Sequence, residues 1–420
     1  MQQMIRRMLC FLLALTAIIT VHGAGSAAQA RPTILLDGFP LAFPADPEII
    51  DGYTMVPFRA VAEAMGVTVS WNEANKTITA VKGTGQDRKT VMMQIDNPVI
   101  TVDGSPVTLP VKPIQRGGHS LIPLSFFSKQ FGAEVSWDEA TRTVSIVSPP
   151  ADLYKMAFYA ISSFSERSYI DQFDSVAFGW SRIAEDGSLT VDGKDFYWPQ
   201  PAGEVTPESL VQNAANAGTV PYLMVFAVDG SGELSRLLAD SSLQHKAIDE
   251  MIQLAKEKKF GGLVLDFEGL GLGGDPGQAK QRYSQFVQAL AQRTKAAGLQ
   301  LSLVLHPLNG AYQGYDYAVL GKLADDLIVM AYAYENETQP EPLAKVNEAV
   351  QLALQQVPKQ KLILGISMGS ENEQSIASKI GIAKRYGLKG IAIWRLGLLG
   401  QPAFEQLEKS AGSKALPASR

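Results

Sequence analysis

The 420-residue sequence predicts an α/β protein, a (β/α)8 TIM barrel over residues 152–412 preceded by a small α+β domain of two repeats. Two observations support this fold class. Short apolar runs alternate with amphipathic helical patterns from about residue 155 onward, in the number and length of a β/α barrel. Residues 31–148 contain an internal repeat with a fixed offset of 66 residues.

The first thirty residues are predicted to be a signal peptide. Arg6 and Arg7 form a basic start, Leu9 to Val21 an apolar run, and Ala28-Gln29-Ala30 a small-residue cleavage site. The apolar run is short for a retained membrane anchor, so no stable transmembrane span is expected after cleavage. The sole cysteine, Cys10, would leave with the signal. We therefore expect an exported protein without disulfides, secreted or associated with the cell wall.

The domain over residues 31–148 is predicted to contain repeats at about 31–83 and 97–148. The repeated segments are Asp37-Gly38 with Asp103-Gly104, Met55–Phe58 with Leu121–Leu124, and Val69-Ser70-Trp71 with Val135-Ser136-Trp137. Each unit is typical of a hairpin, a loop, a helix and a Trp-centred hairpin. Trp71 and Trp137 are interpreted as core anchors, with stacking on sugar as the less favoured alternative. Ser148-Pro149-Pro150 marks the linker to the barrel.

These repeats resemble the copper amine oxidase N-terminal-like domain, a stalk module attached to many exported Gram-positive enzymes. The resemblance implies a role in spacing or in attachment to the cell envelope. Copper binding is not expected, because the repeats hold one histidine and no cysteine. His119, His245 and His306 lack ligand spacing, so neither a metal nor another cofactor is expected anywhere in the chain.

The barrel prediction depends on eight strand candidates with helical patterns between several of them. The strands are predicted at 155–161, 175–183, 219–227, 261–268, 299–307, 326–334, 361–367 and 390–396. The clearest helices are predicted at 243–258, 279–297, 343–356 and 373–385.

The fourth predicted strand carries the candidate catalytic residues Asp266 and Glu268. Successive side chains on a strand alternate faces, so these two carboxylates share one face. Each raises the pKa of the other, and one can stay protonated near neutral pH as a general acid requires. Catalytic residues of β/α barrels lie at the C-terminal ends of strands, where this pair falls. A helix N-cap or a surface ion pair is the alternative interpretation.

This strand, Met330-Ala331-Tyr332 and the segment Ile393 to Gly397 resemble motifs of glycoside hydrolase family 18, which contains chitinases and N-acetylglucosaminidases. The form Leu-Asp-Phe-Glu looks most like the branch of spore-cortex-lysing and spore-germination glycosidases. Val264 and Ala333 stand where the family usually has further acids, and Tyr334 or Glu335 is a candidate to replace the second.

The resemblance implies a role for each motif residue. Glu268 would protonate the leaving oxygen and then activate water, while Asp266 would orient the substrate acetamido group that acts as the nucleophile. Tyr332 would donate its hydroxyl to the acetamido oxygen, and Trp394 would lie under the sugar ring. Met330, Tyr159 and Trp180 complete the predicted substrate-binding residues, the last two with core packing as the alternative.

Charge narrows the class of partner. Without the two arginines of the signal, 35 basic and 42 acidic residues remain, a net charge of about −7. No basic stripe suggests nucleic acid, so a neutral or zwitterionic polysaccharide is the expected partner. The predicted function is a retaining glycosidase that cuts β-1,4 bonds at N-acetylglucosamine in peptidoglycan or chitin-like glycans by substrate-assisted catalysis. The alternative is a catalytically weak or inactive, lectin-like cell-wall protein.

Overall fold

The computed structural model describes residues 32–85 and 88–414. The predicted signal peptide, including Cys10, lies outside the described residues. Within them, no helix combines the length and the apolar composition needed to cross a bilayer.

Each N-terminal repeat contains two hairpins, a short helix and a third, Trp-bearing hairpin. The first repeat comprises β1 (Thr33–Leu36), β2 (Phe39–Pro40), β3 (Glu48–Ile50), β4 (Tyr53–Pro57), α1 (Phe58–Ala64), β5 (Thr68–Asn72) and β6 (Thr77–Lys82). After β7 (Lys89–Gln94), the second comprises β8 (Val99–Val102), β9 (Ser105–Thr108), β10 (Ile114–Arg116), β11 (His119–Pro123), α2 (Leu124–Gln130), β12 (Glu134–Asp138) and β13 (Thr143–Val147). The segment predicted as a loop therefore holds an additional hairpin, β3–β4 or β10–β11.

The repeated Asp-Gly pairs form the turns of the first hairpins. Asp37 and Gly38 have φ angles of 49° and 77°, and Asp103 and Gly104 have 50° and 83°. Two successive positive φ angles define the tight hairpin turn that Asp-Gly favours. The local sequence therefore determines this turn in both repeats.

The two repeats interlock around a local two-fold axis. Strand β4 pairs antiparallel with β11, and Val56 lies opposite Ile122, its equivalent under the 66-residue offset. Strand β1 of the first repeat pairs in parallel with β13 of the second. The rings of Phe58 and Phe127 meet edge to face at 4.8 Å in the shared core. Neither repeat can bury its apolar side chains without the other.

The second domain confirms the predicted barrel. Its strands are β14 (Tyr154–Tyr159), β15 (Ser175–Ile183), β16 (Leu189–Thr190), β17 (Val220–Val228), β18 (Gly262–Glu268), β19 (Gln300–Leu305), β20 (Asp326–Val329), β21 (Leu362–Ser367) and β22 (Gly390–Trp394). Eight of them pair in parallel and β14 pairs with both β15 and β22, which closes the barrel, while β16 adds antiparallel to β15.

Helices cover the barrel. They are α3 (Pro207–Asn216), α4 (Glu233–Ala239), α5 (Ser241–Glu257), α6 (Pro276–Ala297), α7 (Tyr317–Leu323), α8 (Leu343–Leu354), α9 (Ile376–Tyr386) and α10 (Gly400–Ala411), with 3-10 helices at Ser163–Gln172, Lys359–Lys361 and Leu396–Leu398. The sixth barrel strand is shorter than predicted, because the chain turns after Val329 and reaches a positive φ at Ala333. The Met330–Tyr332 motif therefore follows the strand.

The barrel strands separate two apolar layers. On β18, Leu263, Leu265 and Phe267 face outward into the core beneath the helices. Val264 faces inward and packs with inward residues of the other strands. Because strand side chains alternate, Asp266 and Glu268 share the inward face with Val264.

The first hairpin of the N-terminal domain packs against α9 of the barrel. The Asp37 carboxylate accepts hydrogen bonds from the Ser148 backbone N–H at 2.8 Å and hydroxyl at 2.6 Å, and its Oδ2 lies 3.8 Å from the Lys384 Nζ. The Arg385 guanidinium stacks on the Phe39 ring at 4.5 Å. The linker is therefore held by both domains.

Candidate active site

The two candidate carboxylates lie at the C-terminal end of β18. The apolar part of this strand consists of Leu263, Val264 and Leu265, and its backbone pairs with β17 and β19 on either side. Asp266 is 3% exposed and Glu268 is partly exposed at the barrel mouth. The strand thus buries one carboxyl group and presents the other toward solvent.

The electrostatics of the pair favour sharing of one proton. Burial, and then the charge of Glu268, raise the pKa of Asp266 well above its usual range. Burial, and then the charge of Glu337, raise the pKa of Glu268 to about 7. Two adjacent carboxyl groups whose pKa values are raised in this way resist ionising together, so one holds a proton near neutral pH. A carboxylic acid available at that pH can serve as a general acid.

His306 is a site residue that the sequence analysis treated only as a metal-ligand candidate. It follows β19, and its Nε2 lies 3.7 Å from the Glu268 Oε2. Burial lowers the pKa of His306 to about 4, so the imidazole is neutral at pH 7. Its ring stacks on Tyr312 at 4.0 Å. Because the imidazole is neutral, it places no positive charge beside Glu268 that would lower the pKa of this carboxyl group.

Tyr332 lies beside the carboxylates just after β20. Burial, followed by the charges of Asp266, Glu268 and Glu337, raises the pKa of its hydroxyl. The hydroxyl therefore stays protonated and can donate a hydrogen bond. Met330 packs in the inward apolar layer below it.

A buried polar chain holds the loop that follows Tyr332. The Glu341 carboxylate accepts hydrogen bonds from the Ala333 N–H at 2.8 Å and the Tyr334 N–H at 3.3 Å. The Glu341 N–H donates to Glu371 at 3.0 Å, and the Lys379 Nζ lies 3.0 Å from the same Glu371 oxygen. Ala333 is held at φ +59°, a strained angle for a residue with a Cβ.

The sequence analysis offers Tyr334 or Glu335 as the substitute for the family acid that is missing at position 333. In the structure neither residue takes that place. The Tyr334 hydroxyl donates to Asn309 at 2.9 Å, and Glu335 lies 3.8 Å from Lys345 on the surface. The carboxylate that caps the loop is instead Glu341, and the outer charge acting on Glu268 is Glu337. Sequence spacing could not indicate either, because both depend on how the loop turns back.

Aromatic side chains line the inward face at the mouth. The Trp394 ring lies 5.3 Å from Phe158, edge to face, and 6.5 Å from Phe196. Phe196 stacks on Phe226 at 4.1 Å. Phe196 comes from the segment between β16 and α3, where no periodic pattern indicated a site residue. The peptide bond between Trp394 and Arg395 is cis.

The structure does not bring Tyr159 and Trp180 to this site. Both face outward from their strands, are 5% and 4% exposed, and pack with Phe178 in the outer core. They line a separate cavity of about 380 Å³ under residues 194–210. Their strand positions have the opposite parity to the inward residues, which is the physical reason they miss the groove. Core packing, the alternative interpretation of Tyr159 and Trp180, is therefore the one that agrees with their positions.

Gly365 on β21 makes room for Tyr332. A Cβ at this position would lie 3.1 Å from the Tyr332 ring and 2.9 Å from the Val329 carbonyl oxygen. Only glycine lets this ring lie against the strand. Within residues 32–85 and 88–414, no group of three or more His, Cys, Asp or Glu side chains is arranged to hold a metal ion.

Comparison with known families matches both domains. The family described as Glycosyl hydrolases family 18 matches residues 155–371, slightly more than half of the chain. The family described as Copper amine oxidase N-terminal domain matches residues 35–146.

Relatives with similar sequences come from Bacillus. The cortical fragment-lytic enzyme of Bacillus subtilis (strain 168) is 27% identical over 146 residues, 32% of this chain and 33% of that protein. The cortical fragment-lytic enzyme of Bacillus anthracis is 26% identical over 177 residues, 39% of this chain and 40% of that protein. The matches thus span about a third to two-fifths of these relatives.

Solved structures share the barrel. A chitinase from Chromobacterium violaceum ATCC 12472 superposes with a TM-score of 0.52 at 20% identity, covering 61% of this chain and 98% of that chain. The Bacillus cereus spore cortex-lytic enzyme SleL gives 0.52 at 18% identity, covering 63% and 76%. At such identities the likeness establishes the fold alone.

Proposed function

Because this chain belongs to family 18 of the glycosyl hydrolases, we propose that it is an exported enzyme that hydrolyses β-1,4 bonds next to N-acetylglucosamine with retention of configuration. The observation that carries the proposal is the pair of carboxyl groups at the barrel mouth, the buried Asp266 and the partly exposed Glu268, with one proton available between them. The names of the relatives, cortical fragment-lytic enzymes, support a bacterial cell-wall glycan as the substrate, with chitin-like polymers as the second choice.

Bond cleavage uses Glu268 as the general acid. Its carboxyl proton passes to the leaving glycosidic oxygen while the C1–O bond breaks. The acetamido oxygen of the same sugar forms the new bond to C1 and gives an oxazolinium ion, so the enzyme supplies no nucleophile. Glu268 then accepts a proton from water as the water oxygen adds to C1 and the bond between C1 and the acetamido oxygen breaks, which restores the acetamido group. Two inversions at C1 retain the configuration.

Asp266 and Tyr332 stabilise the charged intermediate. Among the described residues, Asp266 Oδ1 has no hydrogen-bond partner although it is buried, so it is suited to accept the acetamido N–H. The Tyr332 hydroxyl donates toward the acetamido oxygen. Trp394, partly exposed among Phe158 and Phe196, supplies an apolar surface for the sugar ring.

Product analysis tests the proposed function. The full chain is incubated with peptidoglycan and, separately, with N-acetylglucosamine oligomers, and the products are read by mass spectrometry and by proton NMR of the new anomeric centre. We expect fragments with N-acetylglucosamine at the reducing end, formed first as the β-anomer. Retained binding to both glycans without any product would instead assign a lectin-like role.

The pH dependence of kcat/KM follows from Glu268. The acid must be protonated in the free enzyme, and its pKa is about 7, so kcat/KM falls about tenfold per pH unit above that value. The Glu337→Gln variant removes a charge that raises this pKa, so the alkaline limb moves to lower pH. Glu335→Gln is the matched control, because that carboxylate pairs with Lys345 on the surface. If the alkaline limb of the pH profile does not move in Glu337→Gln, the charge of Glu337 does not raise the pKa of Glu268.

Gly365→Ala tests the seat of Tyr332. The added methyl group displaces the Tyr332 ring, and displacing a catalytic group by about 1 Å can cost about a hundredfold in rate. We expect kcat to fall by about 10–100-fold with a smaller change in KM. Gly230→Ala is the control, because a Cβ there meets nothing within 4 Å. Equal kcat in both variants would show that Tyr332 is not held by this contact.

A further inference from the structure

The N-terminal domain contains two cavities that are copies of each other. Their volumes are about 570 and 550 Å³, in the range of small-ligand sites. Most of their lining residues are equivalent under the 66-residue offset of the sequence repeat. The equivalent pairs include Phe58 with Leu124, Val69 with Val135, Trp71 with Trp137, Glu73 with Glu139, and Ile78 with Val144.

Each cavity is completed by the opposite repeat. The first takes its wall from the β10–β11 turn, including Gly118 and His119, and the second from the β3–β4 turn, including Gly52 and Tyr53. These turns are themselves equivalent under the offset, as the local two-fold axis requires. The cavities are therefore built by the domain as a whole and exist twice.

A tryptophan with a fixed ring plane lies in each cavity. The Trp71 Nε1 donates to Glu73 and the Trp137 Nε1 donates to Glu139, both at 2.6 Å. This bond satisfies the only polar group of the indole and orients the ring. Trp137 is 40% exposed and Trp71 is half-buried against the core, so the expectation that both act as core anchors describes Trp71 better.

The second cavity concentrates exposed apolar surface. Ile49, Tyr53 and Val135 are 47%, 38% and 36% exposed and line it together with Trp137. Hydroxyl and charged groups, among them Ser136 and Glu139, surround these apolar side chains. Apolar side chains with polar groups at their edge, among them the Arg142 guanidinium that lies over the Trp137 ring at 5.9 Å, match a sugar ring, which has an apolar face and hydroxyl groups around its rim.

The occupant is best matched by an uncharged polymer with a repeating unit. Each cavity mixes acidic and basic side chains, Arg59 with Glu73 in the first and Arg142 with Glu139 in the second, so neither favours a polyanion. Two sites on one domain that engage the same repeating chain bind it far more tightly than a single site does. The choice of an N-acetylglucosamine polymer rests on the proposed function of the barrel.

We propose that the N-terminal domain is a two-site glycan-binding module whose cavities at Trp71 and Trp137 each stack on a sugar ring of the polysaccharide that the barrel cuts. The module holds the enzyme on its insoluble substrate. Neither site takes part in bond cleavage.

Binding to insoluble glycan tests the module. The full chain carrying Glu268→Gln is mixed with chitin, an uncharged N-acetylglucosamine polymer, and separately with intact peptidoglycan, and the protein left in solution is measured. We expect Trp71→Ala and Trp137→Ala each to lower the apparent association constant about tenfold, and the double variant about a hundredfold or more, because avidity is lost. Trp→Phe at either position keeps an aromatic surface and retains most of the binding.

Controls separate binding from folding and from catalysis. Met92→Ala, at a side chain that is 45% exposed in the same domain and lines neither cavity, should bind like the parent. With Glu268 restored, Trp137→Ala and the two Trp→Phe variants should keep the parent thermal midpoint, and all the tryptophan variants should keep the parent kcat/KM on a short soluble oligomer.

Two results would overturn the proposal. One is unchanged binding in the double alanine variant. The other is tryptophan-dependent binding to intact peptidoglycan without any binding to chitin, which would assign the cavities to peptide. If the intact enzyme cuts no glycan but its binding depends on both tryptophans, the module is supported and only the proposed function of the barrel fails.

Discussion

Replacing Glu268 by glutamine is expected to lower kcat by about 10²–10⁴-fold, the usual contribution of a general acid. Glutamine keeps the size and the position beside His306 but has no proton to give to the leaving oxygen. The measurement is initial-rate kinetics on an N-acetylglucosamine oligomer.

The leaving group provides a sharper readout of the same variant. The nitrophenolate group of a nitrophenyl glycoside leaves without protonation. In Glu268→Gln, cleavage of this substrate should therefore lose far less rate in its first step than cleavage of a natural oligomer. Glu335→Gln, a surface carboxylate, serves as the control and should match the parent on both substrates. Equal losses on the two substrates would place the general acid elsewhere.

The same substitution has an expected effect on stability. The folded chain holds the Glu268 proton more tightly than the unfolded chain, because burial raises the pKa from 4.5 to about 7. The stabilisation from this proton is full below about pH 4.5 and is lost as the pH rises through about 7. The difference in thermal midpoint between Glu268→Gln and the parent should therefore be more favourable to the variant at pH 8 than at pH 5. A gain in stability with loss of activity distinguishes a catalytic residue from a structural one.

The second large effect is expected at Lys379. Its side chain is 4% exposed and that of its partner Glu371 is 1% exposed, with 3.0 Å between the Nζ and the Oε1. Lys379→Met leaves a buried carboxylate without its charge partner, which should lower the free energy of unfolding by about 3–5 kcal/mol. Urea unfolding followed by circular dichroism measures the loss.

Activity should fall with it, because Lys379 and Glu371 hold Glu341, which in turn holds the backbone after Tyr332. Lys379→Met combined with Glu371→Leu removes both charges and should recover part of the stability. Lys246→Met is the surface control, since Lys246 and Glu250 are 61% and 38% exposed and such pairs contribute about 0–1 kcal/mol. A loss at Lys379 as small as that at Lys246 would contradict a structural role for the buried chain.

The sequence carried the periodic and local information about this protein. Alternating apolar runs predicted eight barrel strands, and the repeat offset predicted a doubled domain, because both patterns are properties of neighbouring residues. The alternation of successive side chains along a strand placed Asp266 and Glu268 on one face at a strand end. The Asp-Gly pairs, which the sequence analysis noted only as part of the repeat, form the first hairpin turns, and such a turn depends on only two residues.

Only the tertiary structure decided which distant residues meet. His306 reaches Glu268 because β19 lies beside β18 in the closed barrel, and Glu341 reaches Ala333 because the loop folds back over it. The inward or outward direction of Tyr159 and Trp180 depends on strand register, which a single strand does not reveal. The twin cavities arise because each repeat completes the other. Periodicity depends on residues that are close in sequence, whereas contacts, burial and electrostatic coupling between distant residues depend on the folded tertiary structure.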